Sequence, residues 1–202
     1  MPTAPNALTP GTKAPLFALP DQHGNTIRLA DFKGRPVVVY FYPKDDTEDC
    51  TTQACEFTRK FPHFEKLDAA VLGISRLDQK SKAKFAKKHA IEIPLLADES
   101  TQVSQDFGVL VEKSMYGKKY MGIVRTTFLI DAVGKVAKRW DVTDVTNHAD
   151  EVLAAVKALT AGKPLPEPPR DQAPTARVNA KPKKKPAPKK KPAANKKSPP
   201  KR

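Results

Sequence analysis

The apolar residues of this chain come in short dense runs divided by polar stretches rich in turn formers. Residues 37–42 (VVVYFY) are apolar throughout and β-branched or aromatic at every position, the pattern of a central strand covered on both faces. Pro43 stops that run. Residues 69–75 (AAVLGIS) read as a second buried strand and residues 93–97 as a shorter third. Upstream, residues 16–19 and 26–29 flank the turn-forming segment Asp21-Gln22-His23-Gly24-Asn25 and read as a β-hairpin. Residues 126–130 and 135–140 flank Asp131-Ala132-Val133-Gly134 and read as another.

Between these strands the apolar period lengthens to that of a helix. Ala54, Phe57, Phe61, Phe64 and Leu67 recur at helical spacing through residues 51–67, with Pro62 expected to kink or interrupt the run. Asp78 is placed to cap a helix ending near His89, and its residues 80–88 (KSKAKFAKK) are expected to form a solvated face. Residues 101–107 form a short helix closed by Gly108, and Asn147 caps a last amphipathic helix that stops at Gly162. The order of elements, β-β-β-α-β-α-β-α-β-β-α, predicts one mixed α/β sheet with helices on both faces.

Charge divides the chain in two. Residues 163–202 hold 14 Lys/Arg against two acids, leaving 22 basic and 20 acidic residues in residues 1–162. All nine glycines and all 14 aromatics lie in that near-neutral body, and +12 of the formal net charge of +14 belongs to the tail. Residues 1–162 are therefore expected to form the folded domain. Residues 163–202, made of Lys/Pro/Ala repeats without an aromatic, are expected to be disordered. No stretch approaches the roughly 20 apolar residues that span a bilayer, and Met1–Leu8 shows no secretory pattern. Two cysteines are too few for a disulfide scaffold, so their chemistry is expected to be reactive.

The informative segment is Tyr42-Pro43-Lys44-Asp45-Asp46-Thr47-Glu48-Asp49-Cys50-Thr51-Thr52-Gln53-Ala54-Cys55. A buried strand ends, a polar loop follows, and Cys50 falls where a helix begins, a place that favours a thiolate through free N–H groups and the macrodipole. Residues five apart in a helix have Cα atoms about 8–9 Å apart, whereas a disulfide needs about 4.4–6.8 Å. Cys50 and Cys55 therefore cannot bond while the intervening turn stays helical.

Pro43, Thr47 and Cys50 make the pattern P-x-x-x-T-x-x-C, which resembles the active-site signature of the peroxiredoxins. With Cys55 at C-x-x-x-x-C and the wording FYPKDD…CTTQAC, the segment is similar to the peroxiredoxin Q family, also called bacterioferritin comigratory proteins. Arg125 in GIVRTTFLID matches that family's second active-site element, and the likeness runs from about Leu8 to Ala161. The resemblance implies a thioredoxin-like fold and a thiol peroxidase acting on hydrogen peroxide and organic hydroperoxides. It further implies Cys50 as the peroxidatic nucleophile and Cys55 as the resolving thiol. Thr47 and Arg125 would hold the peroxide oxygens and the thiolate, and Pro43 would shield the sulfur. Thioredoxin is the implied reductant; no metal or organic cofactor is called for.

One departure stands out. Where many family members have Pro-Gly between the threonine and the cysteine, this chain has Glu48-Asp49. Carboxylates beside the sulfur oppose its ionisation by like-charge repulsion, unless they point to solvent and complement the positive helix end.

Other readings follow from the same residues. A zinc site needs about four ligands, and only Cys50, Cys55 and His63 lie close in sequence. A dithiol–disulfide oxidoreductase would favour C-x-x-C spacing. His23, His63, His89 and His148 match no catalytic spacing, and Phe57, Phe61, Phe64 and Trp140 are expected in the core. The tail's net charge of +12 suits non-specific binding of DNA or another polyanion, or else marks a charged extension with no dedicated partner. From this comes the rival function: a DNA-binding protein whose body is a scaffold or oxidant sensor. The leading expectation is a cytoplasmic, monomeric thiol peroxidase.

Overall fold

The computed structural model describes residues 8–115 and 118–166. Its centre is the strand expected from the unbroken apolar run, β3 (Val37–Phe41). Strand β4 (Ala70–Ser75) lies parallel to it, and β5 (Leu95–Ala97) is parallel to β4. On its other edge β8 (Thr126–Ile130) and β9 (Val136–Asp141) continue antiparallel, giving the order β5-β4-β3-β8-β9.

Period-2 alternation splits this sheet between two cores. Val38, Tyr40 and Tyr42 point to one side, against α1 (Glu48–Glu65), α2 (Gln79–His89) and α4 (His148–Thr160), where Phe57, Phe64, Phe85, Val152 and Val156 are buried. Val37, Val39 and Phe41 point to the other, against Val103 of α3 (Gln102–Asp106), Phe107 and the N-terminal hairpin β1 (Ala18–Pro20) and β2 (Thr26–Arg28). This is the mixed α/β sheet with helices on both faces that the pattern calls for. Phe57, Phe64 and Trp140 are core residues as expected.

Several details differ from the sequence reading. Helix α1 begins at Glu48, and Pro62 does not interrupt it. Pro62 is exposed and sits in the last turn, where its missing N–H removes one hydrogen bond while the buried Phe57 and Phe64 keep both sides docked. Residues 80–88 are not a uniformly solvated face, because Lys82 is fully buried. Asp78 caps α2 through Ser81 N (2.8 Å), but Asn147 precedes α4 in a left-handed conformation (φ 58°) without a side-chain cap bond. A hairpin of β6 (Leu110–Met115) and β7 (Lys118–Ile123) was not anticipated, since its alternation is diluted by lysines and it pairs only with itself.

The compact body runs to Pro166, and the partly buried Leu165 packs against the core. Residues 167–202, which carry the expected disordered basic tail, lie outside the described residues. Among the described residues no helix is long and apolar enough to cross a membrane.

Candidate active site

Strand β3 delivers the chain to one edge of the core, Tyr42 N still bonds to Ile74 O (3.1 Å), and a polar loop leads into α1. Thr47 is the N-cap, so Glu48, Asp49 and Cys50 fill the first turn, where backbone N–H groups lack helical partners. The first intrahelical bond is Thr51 N to Thr47 O (2.8 Å). Glu48 and Asp49 point to solvent while Cys50 turns inward and is 1% exposed.

Arg125 lies in the short link between β7 and β8, its carbonyl held by Val142 N (2.9 Å) just beyond β9. Its Nη2 donates to Cys50 Sγ at 3.4 Å, and its Nη1 donates to Gln53 Oε1 at 2.9 Å. Asp49 Oδ2 stands 3.7 Å from the same guanidinium. A fixed cation with directional donors thus faces a buried sulfur at a helix N-terminus. Glu48 and Asp49 are both exposed, and Asp49 is drawn to Arg125.

The other expected residues occupy distinct places. Thr47 donates its hydroxyl to Lys44 O (3.2 Å), bracing the loop rather than reaching the sulfur. Pro43 is half-buried directly after the strand end. Cys55 lies further along the same unbroken helix, half-buried, and both cysteines are free. Burial, with the neighbouring Glu56 carboxylate second, pushes the Cys55 thiol up, which keeps its proton on at neutral pH.

Sequence reasoning missed three features of this site. Gln53 is 1% exposed, grips Arg125 through its oxygen and leaves its Nε2 without a protein partner. Its position three residues after Cys50 puts both on one helix face, a signal that the spacing alone carries. Tyr40 packs behind the site with a buried, unpartnered hydroxyl, and burial followed by the nearby Cys50 raises its pKa well above the ordinary value. The third feature is a buried ion pair, Lys82–Asp45, hidden in sequence by the lysine-rich context of α2. Among the described residues no group of three or more His, Cys, Asp or Glu is placed to hold a metal ion.

The model of the AhpC/TSA family matches residues 10–139, a span that includes Cys50, Cys55 and Arg125. The chain is a peroxiredoxin of the AhpC/TSA family. Peroxiredoxin Bcp of Escherichia coli (strain K12) is 45% identical over 152 residues, covering 75% of this chain and 97% of the relative. Peroxiredoxin Bcp of Bacillus subtilis (strain 168) is 42% identical over 150 residues, covering 74% and 96% respectively. Among solved structures, Xanthomonas campestris bacterioferritin comigratory protein superposes with a TM-score of 0.71 at 37% identity, covering 75% of this chain and 99% of that one. The resemblance to the peroxiredoxin Q and Bcp group, the thioredoxin-like fold and the thiol peroxidase activity are therefore properties of this chain. The alignments with these three relatives leave about a quarter of the chain uncovered.

Proposed function

We propose that Cys50 is the peroxidatic thiol and Cys55 its resolving partner in a peroxidase re-reduced by thioredoxin. The observation that carries this reading is the Arg125 guanidinium 3.4 Å from a buried Cys50 Sγ in the first turn of α1. The Cys50 thiolate attacks one peroxide oxygen, the O–O bond breaks, and the other oxygen leaves as water or an alcohol after taking a proton. Arg125 holds the thiolate and the polarised oxygens, as a planar cation with several donors can. Thr47 joins it once its hydroxyl leaves Lys44 O, and Pro43 limits water at the sulfur. The Cys55 thiol then displaces hydroxide from the Cys50 sulfenic acid, and disulfide and water result. A dithiol of the thioredoxin class reduces the disulfide by exchange.

Hydrogen peroxide and organic hydroperoxides are the proposed substrates. The Xanthomonas campestris relative is described with alkyl peroxide reduction activity, which supports the organic class here. The protein is proposed to act as a cytoplasmic monomer without a cofactor. Peroxide consumption with a thioredoxin system tests this directly. Cys50→Ser should abolish turnover, and Cys55→Ser should lose thioredoxin-supported turnover while still reacting once with peroxide. Thioredoxin-supported turnover by Cys50→Ser at the wild-type rate would overturn the assignment.

A further inference from the structure

The loop that presents Cys50 is fastened to α2 by two consecutive aspartates. Asp45 is buried, and its Oδ1 accepts from Lys82 Nζ (2.8 Å) and Ser75 Oγ (3.2 Å), while its Oδ2 accepts from Ser81 Oγ (2.7 Å). Lys82 is fully buried, also donates to Ser75 Oγ, and lies 5.0 Å from the centre of the Tyr42 ring. Asp46 follows in a left-handed conformation (φ 60°) and is gripped from the same helix by Lys88 Nζ (2.6 Å) and His89 Nε2 (2.6 Å). Those two partners hold the Asp46 carboxyl below its ordinary range.

This arrangement is expensive for what it contributes to folding. On α2, Lys82 shares a face with Phe85 and Ala86, where an apolar side chain would pack without desolvating a charge. Burial pulls the Lys82 ammonium down, and Asp45, with Asp78 at the start of its own helix, pulls it back. A buried ion pair of this kind adds little net stability, and its attested use is to specify one geometry. The geometry it specifies is the loop immediately before the catalytic helix turn.

We propose that Lys82 is a positioning residue which, through Asp45, pins the loop from Pro43 to Thr47 to α2 and so sets Cys50 against Arg125. The inference rests on the reading of Cys50 as the peroxidatic thiol. It also bounds the movement that disulfide formation requires. Glu48 to Cys55 must unwind, but Asp45 and Asp46 fix the chain on one side and Phe57, wholly buried, fixes it on the other. The rewound helix then returns Cys50 to the same place.

The test compares full-length wild type, Lys82→Met and Asp45→Asn. Two readouts are taken: the rate at which hydrogen peroxide oxidises Cys50, and the pH profile of Cys50 alkylation by iodoacetamide. Lys82→Met leaves a carboxylate without its cation behind the loop; Asp45→Asn keeps one acceptor oxygen for the two serine hydroxyls, puts an NH2 donor in place of the other, and removes the ionic anchor. A positioning role makes both variants slow, on the order of tenfold to a hundredfold, and moves both alkylation profiles to higher pH. A pure charge effect would move the two profiles in opposite directions, and a purely structural pair would lower thermal stability with both profiles unchanged. Either result overturns the proposal, and Asp45→Asn decides it should Lys82→Met fail to fold. Cys50→Ser in a peroxide-consumption assay separates failure of the catalytic assignment, because alkylation of Cys50 in the clamp variants reports on the clamp whether or not the thiol is peroxidatic.

Discussion

At the scale of single residues, the site is a balance of charges around one guanidinium. Arg125 is shared between Cys50, Gln53 and the exposed Asp49. Asp49→Ala releases the guanidinium to the sulfur, and we expect a modest rise in the peroxide rate constant, about twofold, since exposed pairs are weak. Gln53→Ala loosens Arg125 and is expected to lower the same rate constant by about tenfold. Stopped-flow oxidation of Cys50 reads both, and an Asp49→Ala variant slower than wild type would show that the carboxylate aids the site. His148 sets a pH limit on stability. It is buried between Phe57 and Trp140, bonds Thr127 Oγ1 at 2.9 Å, and has its pKa lowered to about 4 by burial and then by Arg125. Unfolded chain takes up this proton near pH 6.5 and the folded protein does not, so the contribution is complete above that pH. It is lost as pH falls toward 4, for a total on the order of 3 kcal/mol. Denaturant titrations from pH 7.5 to 5 should show that slope, and His148→Gln should flatten it.

At the scale of elements, what was legible in the sequence follows from how each element earns its stability. Strand β3 is buried on both faces, so its composition announced it. The placing of Cys50 at the start of α1 was legible from the strand–loop–helix order and from the cysteine signature; its inward orientation came from the structure. Gln53 and Lys82 were not singled out, because each is polar in a polar stretch and is buried only through partners distant in sequence, Arg125 and Asp45. The β6–β7 hairpin escaped because its apolar anchors lie at its base, Leu110 and Ile123, while main-chain pairing carries the lysine-rich remainder. Pro62 misled because a local propensity was overridden by packing on either side. In the proposed disulfide step the helical turn between the cysteines melts, so its stability would set a rate. Thr52→Ala, at an exposed position, adds helix propensity worth about 0.5 kcal/mol. We expect disulfide formation to slow about twofold while sulfenic acid formation is unchanged, resolved as two fluorescence phases. Behind the site, a Cβ on Gly73 would sit 2.5 Å from the Tyr40 hydroxyl. Gly73→Ala should therefore cost about 1–3 kcal/mol in denaturant unfolding.

At the scale of the whole molecule, the folded body carries the peroxidase and ends later than the charge division suggested. Leu165 packs on the core, and Lys138 donates to Pro166 O. Truncation after Pro166 should leave melting temperature and peroxide turnover at wild-type values, whereas truncation after Gly162 should lower the melting temperature by a few degrees; thermal denaturation of both truncated proteins checks this. The most direct test of the central claim is peptide mass spectrometry after one equivalent of hydrogen peroxide. A Cys50–Cys55 cross-linked peptide should form in wild type, and a dimedone-trapped sulfenic acid should form at Cys50 in Cys55→Ser. Oxidation at Cys55 first, or peroxide consumption with Cys50 left unmodified, would contradict the account.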